Sequence, residues 1–246
     1  MTQGASMNAG PLAEKLGLIG WPSEAEEIII ERDIDLNRGI GCRYHVQHIS
    51  SGGSVKLVRE AQAEGEPVTA EVSPHHLLLT EAACEGHDTN AKMNPPLRRE
   101  RDIKLIKEWV ADGTITVLAT DHAPHPRKMK EVPFAEAAFG IVGLECALPL
   151  YIKALIEDGV IDWPTMLAMM TINPAKLLGV DRLGLGTLME GGPADVTVID
   201  PDMVWTIEAE KFVSTGRNCP FGGWEVKGRP VAVVVAGELK MAADRL

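Results

Sequence analysis

The sequence predicts an α/β protein: parallel strands joined by crossover helices, followed by a small all-β appendage. Three observations predict it. Three β-branched runs, "RYHVQHIS", "EPVTAEVS" and "TITVLATD", alternate with amphipathic segments of helical length, and strands separated in this way imply right-handed crossovers in a parallel sheet. From about Leu185 the texture changes to short β-branched stretches broken by Gly and Pro, "GTLMEGGPADVTVIDPDMVWTIEAE" and "RPVAVVVAGELK", with no helix between them. The third observation is bulk: 246 residues, 45% apolar and 24% charged, suffice for a sizeable core. Residues 1–184 are thus expected to form the α/β part and residues 185–246 the β-appendage.

Each element has its own local warrant. "WPSEAEEIIIERDIDLNRG" opens on a capping-box pattern, Ser23 with Glu26, and its Ile28, Ile29 and Leu36 predict a helix that stops before Gly39. "RYHVQHIS" follows as a strand. "GSVKLVREAQAEG" reads as a helix with Val55, Leu57, Val58 and Ala61 inward, and "RERDIKLIKEWVADG" as one with Ile103, Ile106 and Val110 on a single face. "GLECALPLYIKALIEDG" and "WPTMLAMMTINPAKLLG" are also helical. A (β/α) barrel needs eight parallel strands and roughly 250 residues of its own. Three crossover strands therefore leave two architectures open, a small open sheet or part of a barrel.

Charge and composition narrow the function. A formal net charge of -11 argues against a nucleic-acid or anionic-membrane surface, which needs clustered Lys and Arg, and favours a small-molecule partner. The cysteines Cys42, Cys84, Cys146 and Cys219 are widely spaced and form no CxxC pair, so neither a zinc knuckle nor a disulfide framework is indicated. With no apolar run of membrane length and no signal-peptide pattern at "MTQGASMNAG", a cytoplasmic location is expected.

Chemistry concentrates at strand ends. Asp121 in "ATDHAPHP" directly follows the strand "TITVLAT", and His48 closes "RYHVQH", so both belong at the carboxyl ends of parallel strands, where α/β sites are built. Strand alternation puts Tyr44, Val46 and His48 on one face and His45 on the other, making His48 the better ligand candidate. Imidazole and carboxylate suit zinc or a similar divalent ion, although a catalytic zinc ordinarily has three protein ligands. A His at a strand end is also an ordinary hydrogen-bonded structural residue. His75 and His76 in "SPHHLLLT" are expected in solvent-facing or loop-packing roles. "NPPLR", residues 94 to 98, is either a Pro-stiffened loop or a rigid amide with a nearby guanidinium suited to a ligand carrying amide and carboxylate groups. "FGIVG" fits no phosphate loop, and there is no GxSxG elbow.

"HVQHIS", "TAEVSPHHLLLT", "KMNPPLR", "ATDHAPHP", "PFAEAAFGIVGLE" and "NCPFGGWEVKGRPVAVVVAGELK", in this order and spacing, closely resemble dihydroorotases of the bacterial type I class, and the resemblance runs essentially end to end. It implies an amidohydrolase-type (β/α)8 TIM barrel with a β-sandwich, here in part: strands six to eight and a C-terminal portion of the sandwich. The implied activity is reversible, zinc-dependent hydrolysis of dihydroorotate to N-carbamoyl-aspartate in pyrimidine synthesis. It makes His48 and Asp121 metal ligands to one or two zinc ions, Asp121 the general acid/base, Asn94 and His125 substrate-holding residues, and Phe139 with Gly140 a backbone contact to substrate. His122, His75 and His76 match signature residues without a ligand role. An aspartate transcarbamoylase partner and a homodimer are within what the resemblance allows.

The chain departs from that pattern. The HxH of strand one with its substrate-binding Arg, the bridging carboxylate or carboxylated lysine of strand four, and the strand-five His are absent. The expectation is a C-terminal part of such an enzyme, beginning after strand five, with an incomplete metal site and no activity alone. Two alternatives stand beside it: another cyclic-amide hydrolase, a hydantoinase or allantoinase, and a non-catalytic dihydroorotase-like scaffold for aspartate transcarbamoylase.

Overall fold

The structure is a computed structural model, and it describes residues 1–243. It divides into two compact units, Met1–Glu145 with Glu208–Gly222, and Cys146–Ile207 with the chain from Gly223 onward.

The first unit begins with two very short parallel strands, β1 (Met7–Asn8) and β2 (Gly20–Trp21), flanking helix α1 (Pro11–Leu16). Helix α2 (Glu24–Asn37) leads into β3 (Tyr44–Val46), α3 (Gly52–Ala63) into β4 (Val68–Val72), and the single turn α4 (His75–Leu78) and helix α5 (Glu100–Ala111) into β5 (Val117–Leu118). The larger sheet is parallel in the order β3-β4-β5, with Tyr44 opposite Val68 and Glu71 opposite Val117. Consecutive parallel neighbours joined by helices are what the alternating pattern predicted. The middle strand is buried on both faces, as parallel sheets are: Val68, Ala70 and Val72 are core residues, and so is Glu71 despite its charge.

The helices obey their periodicity with one correction. Val55, Val58 and Ala61 of α3 and Ile103, Ile106 and Val110 of α5 are buried, while Leu57 is half-buried. In α2 the inward residues are Ile30 and Ile34, whereas Ile28, Ile29 and Leu36 are about half or more exposed. A run of three isoleucines does not say which one faces in. The expected capping box is also not formed: Ser23 has helical backbone angles and makes no side-chain cap. Glu26 instead accepts from the Ser50 and Ser51 amides at 3.0 and 3.2 Å, tying α2 to the loop beyond β3.

After the one-turn helix α6 (Arg127–Lys130), the second unit contains α7 (Ala147–Tyr151), which continues as a wider turn over Ile152–Glu157, then α8 (Trp163–Met170) and α9 (Ile172–Leu178). Strands β6 (Val196–Thr206), β7 (Glu225–Val235) and β8 (Glu238–Ala242) form an antiparallel meander. The segment between β6 and β7 belongs to the first unit, where it reaches the candidate site. No helix among the described residues is long and apolar enough to cross a membrane.

Candidate active site

His48 and Asp121 come together. His48 follows β3 and Asp121 follows β5, and His48 Nε2 lies 3.6 Å from Asp121 Oδ1. Both have left-handed backbone angles, φ 53 and φ 44, among only four non-glycine residues with positive φ in the described structure. Such a conformation costs on the order of 1–3 kcal/mol at each position and clusters at functional sites.

The left-handed turn also corrects the alternation reading. β3 ends at Val46, so the two-residue period does not extend to His48, and its ring reaches the same carboxylate as that of His45. Glu71 Oε2 accepts from His45 Nε2 at 3.1 Å, and Glu71 Oε1 lies 2.8 Å from His48 Nδ1. The second contact is close but does not meet hydrogen-bond geometry, and neither atom has a hydrogen-bond partner. Burial pushes the Glu71 carboxyl up, but the hydrogen bonds from His45 and His48 outweigh it and hold it down at about 2. The same contact with Glu71 raises His48 above the usual imidazole range, against burial and with help from Asp121.

The other oxygen of Asp121 faces His75. His75 Nε2 lies 3.4 Å from Asp121 Oδ2 and has no hydrogen bond within ordinary geometry. His75 and His76 are both buried, with rings 4.3 Å apart, so the expected solvent-facing role is wrong and packing is right. Burial drives His75 well below its ordinary value, and His76 to about 4, while His76 Nε2 donates to Pro95 O at 3.0 Å. Asp121 is shifted upward, first by burial and then by Glu71, with His48 opposing.

The donor set suits a cation. His48 Nε2 and Asp121 Oδ1 face each other across 3.6 Å, a spacing that a protonated His48 satisfies by itself and that a shared cation would bridge when His48 is neutral. Tetrahedral zinc with bonds of about 2.0–2.1 Å separates its ligand atoms by roughly 3.3–3.4 Å, close to that spacing. His48 and Asp121 therefore fit as two ligands. No group of three His, Cys, Asp or Glu side chains among the described residues is arranged to hold a metal.

The remaining site residues form two groups. His125 Nε2 donates to Phe139 O at 2.7 Å. The Gly140 amide donates to Lys92 O at 3.0 Å, and Gly140 O accepts from Asn218 Nδ2 at 3.0 Å and from Lys130 Nζ at 3.1 Å. His125, Phe139 and Gly140 are thus one hydrogen-bonded loop system, clamped by two buried lysines. Asn94 instead lines a cavity of about 260 Å³ with Trp21, Tyr44 and His45, and the Trp21 ring meets Phe139 edge-on at 5.9 Å. His122 is a loop pin: its Nδ1 accepts from the Gly143 and Leu144 amides at 3.2 Å each. Arg98 is buried and committed to Ser50, Asn8 and Trp21, so the "NPPLR" guanidinium is structural rather than free for a ligand.

Sequence reasoning missed Glu71, Lys92, Lys130 and Asn218. Glu71 alone left a signal, a lone acid within the apolar strand "VTAEV".

Convergence of imidazoles and a carboxylate at the ends of neighbouring parallel strands defines an α/β protein of the kind that binds ligands at the carboxyl edge of its sheet. The chain belongs to the amidohydrolase family, whose pattern matches residues 23–240. It is similar to the dihydroorotase of Geobacter sp. (strain M21), 49% identical over 233 residues, covering 95% of this chain and 54% of that protein. It is also similar to the dihydroorotase of Pelotomaculum thermopropionicum, 46% identical over 98% of this chain and 56% of that protein. Among solved structures it resembles the L-hydantoinase of Arthrobacter aurescens, with a TM-score of 0.84 and 31% identity over 90% of this chain and 49% of that one. The chain spans about half the length of the curated relatives it matches.

Proposed function

We propose that the protein containing this chain is a zinc-dependent dihydroorotase, hydrolysing and re-forming the cyclic amide of dihydroorotate. The observation that carries this is the facing of His48 Nε2 and Asp121 Oδ1 across 3.6 Å at two strand ends, in a chain 49% identical to a dihydroorotase. The 31% identity to an L-hydantoinase supports the shared fold more than a shared substrate. On this reading β3, β4 and β5 are the sixth to eighth strands of an amidohydrolase barrel, and β6 to β8 are part of its β-sandwich.

His48 and Asp121 would hold the ion. A bound zinc would supply an acidified water and polarise the ring carbonyl. Asp121 would move the proton: its carboxylate would take the proton that the attacking water releases as its oxygen bonds to the ring carbonyl carbon, and give it to the ring nitrogen as the C–N bond breaks. His75, neutral through burial, lies 3.4 Å from Asp121 Oδ2. Asn94 and His125 hold the anionic substrate, and the Phe139–Gly140 backbone lies against it. The two ligands are fewer than the three of a catalytic zinc site, so the 246-residue chain by itself should hold zinc weakly and not turn over.

The experiment is a substrate comparison on the full gene product, with dihydroorotate and hydantoin assayed side by side, with and without zinc. Zinc-dependent ring opening of dihydroorotate, lost in His48→Asn and Asp121→Asn, is expected. Preference for hydantoin, or full activity in either variant, would overturn the proposal.

A further inference from the structure

We infer that Glu71 is the positioning residue of this centre: its buried carboxylate fixes which nitrogen of His48 faces the ion. The inference rests on the reading of His48 and Asp121 as ligands and adds the group that holds one of them in place. β4 is the middle strand of the sheet and carries neither ligand, yet it lies between the two strands whose ends do. Glu71 sits at its carboxyl end with 7% exposure.

The geometry makes Glu71 hard to displace and brings its free oxygen against His48. One oxygen is taken by His45 Nε2 at 3.1 Å, and His45 is itself anchored through Nδ1 to Thr69 Oγ1 at 2.7 Å. The other oxygen is left for His48 Nδ1 at 2.8 Å. The Glu71 carbonyl also accepts from the Ile49 amide at 3.1 Å, so the same residue holds His48 by its ring and by the backbone just after it. This matters because His48 is in a left-handed conformation that the regular strand does not dictate.

The chemistry follows from the acceptor. An ionised carboxylate only accepts, so it selects the Nδ1–H tautomer and leaves the Nε2 lone pair for the ion. A ligating imidazole whose other N–H is bonded to a carboxylate is both oriented and made more basic, and loss of such a partner typically weakens metal binding about 10–100-fold. Glutamine in the same place could accept or donate, and so would no longer choose the tautomer. The competing account makes Glu71 a buried counter-ion for His45 with no effect on His48.

Two readouts on the 246-residue chain separate these accounts. Long-range ¹⁵N–¹H spectra of the metal-free chain, assigned with His48→Asn, should show neutral His48 protonated at Nδ1. Glu71→Gln should mix the tautomers, and His45→Asn should leave them unchanged. Zinc titration should show affinity about 10–100-fold weaker in Glu71→Gln and lost in His48→Asn. An Nε2–H tautomer in the unmutated chain overturns the inference, as does Glu71→Gln that keeps both tautomer and affinity. If Glu71→Gln does not fold, the unmutated spectrum alone decides. Unchanged zinc binding in His48→Asn would refute the ligand reading instead, and the metal-free tautomer would still report whether Glu71 directs the ring.

Discussion

Replacing Arg98 with Met should unfold the first unit at a markedly lower temperature. The Arg98 side chain is 1% exposed. Its guanidinium donates to Trp21 O at 2.8 Å, Asn8 Oδ1 at 2.9 Å and Ser50 Oγ at 3.0 Å, joining β1, β2 and the loop after β3 to the segment that carries Asn94. Its approach to Glu26 Oε2 is longer, 3.4 Å, and Glu26 keeps the Ser50 and Ser51 amides, so that carboxylate is not orphaned. Trp21 O keeps the Ala9 amide at 3.1 Å and Ser50 Oγ keeps Glu26. The loss is therefore dominated by Asn8 Oδ1 left without a donor, about 1–3 kcal/mol, and by removal of the buried charge from the network. Methionine fills the volume but supplies no N–H, and the sum comes to about 3–5 kcal/mol, in the range for breaking a buried charged network. For a protein of this size that lowers Tm by roughly 6–20 °C. Arg98→Lys, which restores one or two of these bonds, should fall between. Thermal melts by circular dichroism read both variants. A fall of less than about 2 °C in Arg98→Met would refute the argument, because the acceptors would then be satisfied without the guanidinium.

Lys130 is buried with Nζ on Ala138 O and Gly140 O, and burial, aided by the charge of Lys92, lowers its pKa from 10.5 to about 8. A folded-state value below the unfolded one means the folded state binds fewer protons, so stability rises from pH about 8 to about 10.5 and is lost as pH falls back through 8. Lys130→Met should flatten that rise in melts across this window, and an unchanged slope would contradict the assignment. Gly140 has φ 110, and an added Cβ would lie 2.6 Å from Ala123 Cβ. Gly140→Ala should therefore cost about 1–3 kcal/mol in the chain's melt and weaken substrate binding in the full gene product; an alanine variant that melts with the parent would show that the loop gives way freely.

The parallel strand order was legible because it depends on local features: β-branched runs, amphipathic helices and short loops between them. Val55, Val58 and Ala61, or Ile103, Ile106 and Val110, repeat at helical spacing and are buried accordingly. What could not be read depends on contacts distant in sequence. Asn218, carried by the loop between β6 and β7, accepts from the His125 amide and donates to Ala123 O, across 93 and 95 residues. Nothing near "NCPFGG" signals this. The inward face of α2 was not legible because Ile28, Ile29 and Ile30 are consecutive and give no phase, and the acid Glu26 ties the helix to the loop beyond β3.

Strand alternation singles out His48, yet β3 stops two residues before it. The structure supplies a better reason. At φ 53 and φ 44 the backbone asks for glycine, the residue that takes such angles with least strain. A turn whose only task was to reverse the chain would be more stable with glycine at both positions. This chain bears the strain of an imidazole at one and a carboxylate at the other, facing each other across 3.6 Å, with the buried Glu71 2.8 Å from the imidazole and the buried His75 3.4 Å from the carboxylate. Replacing either residue by glycine should relieve the backbone while removing a donor, so gain of thermal stability together with loss of zinc binding is the outcome that separates a functional site from a structural ion pair.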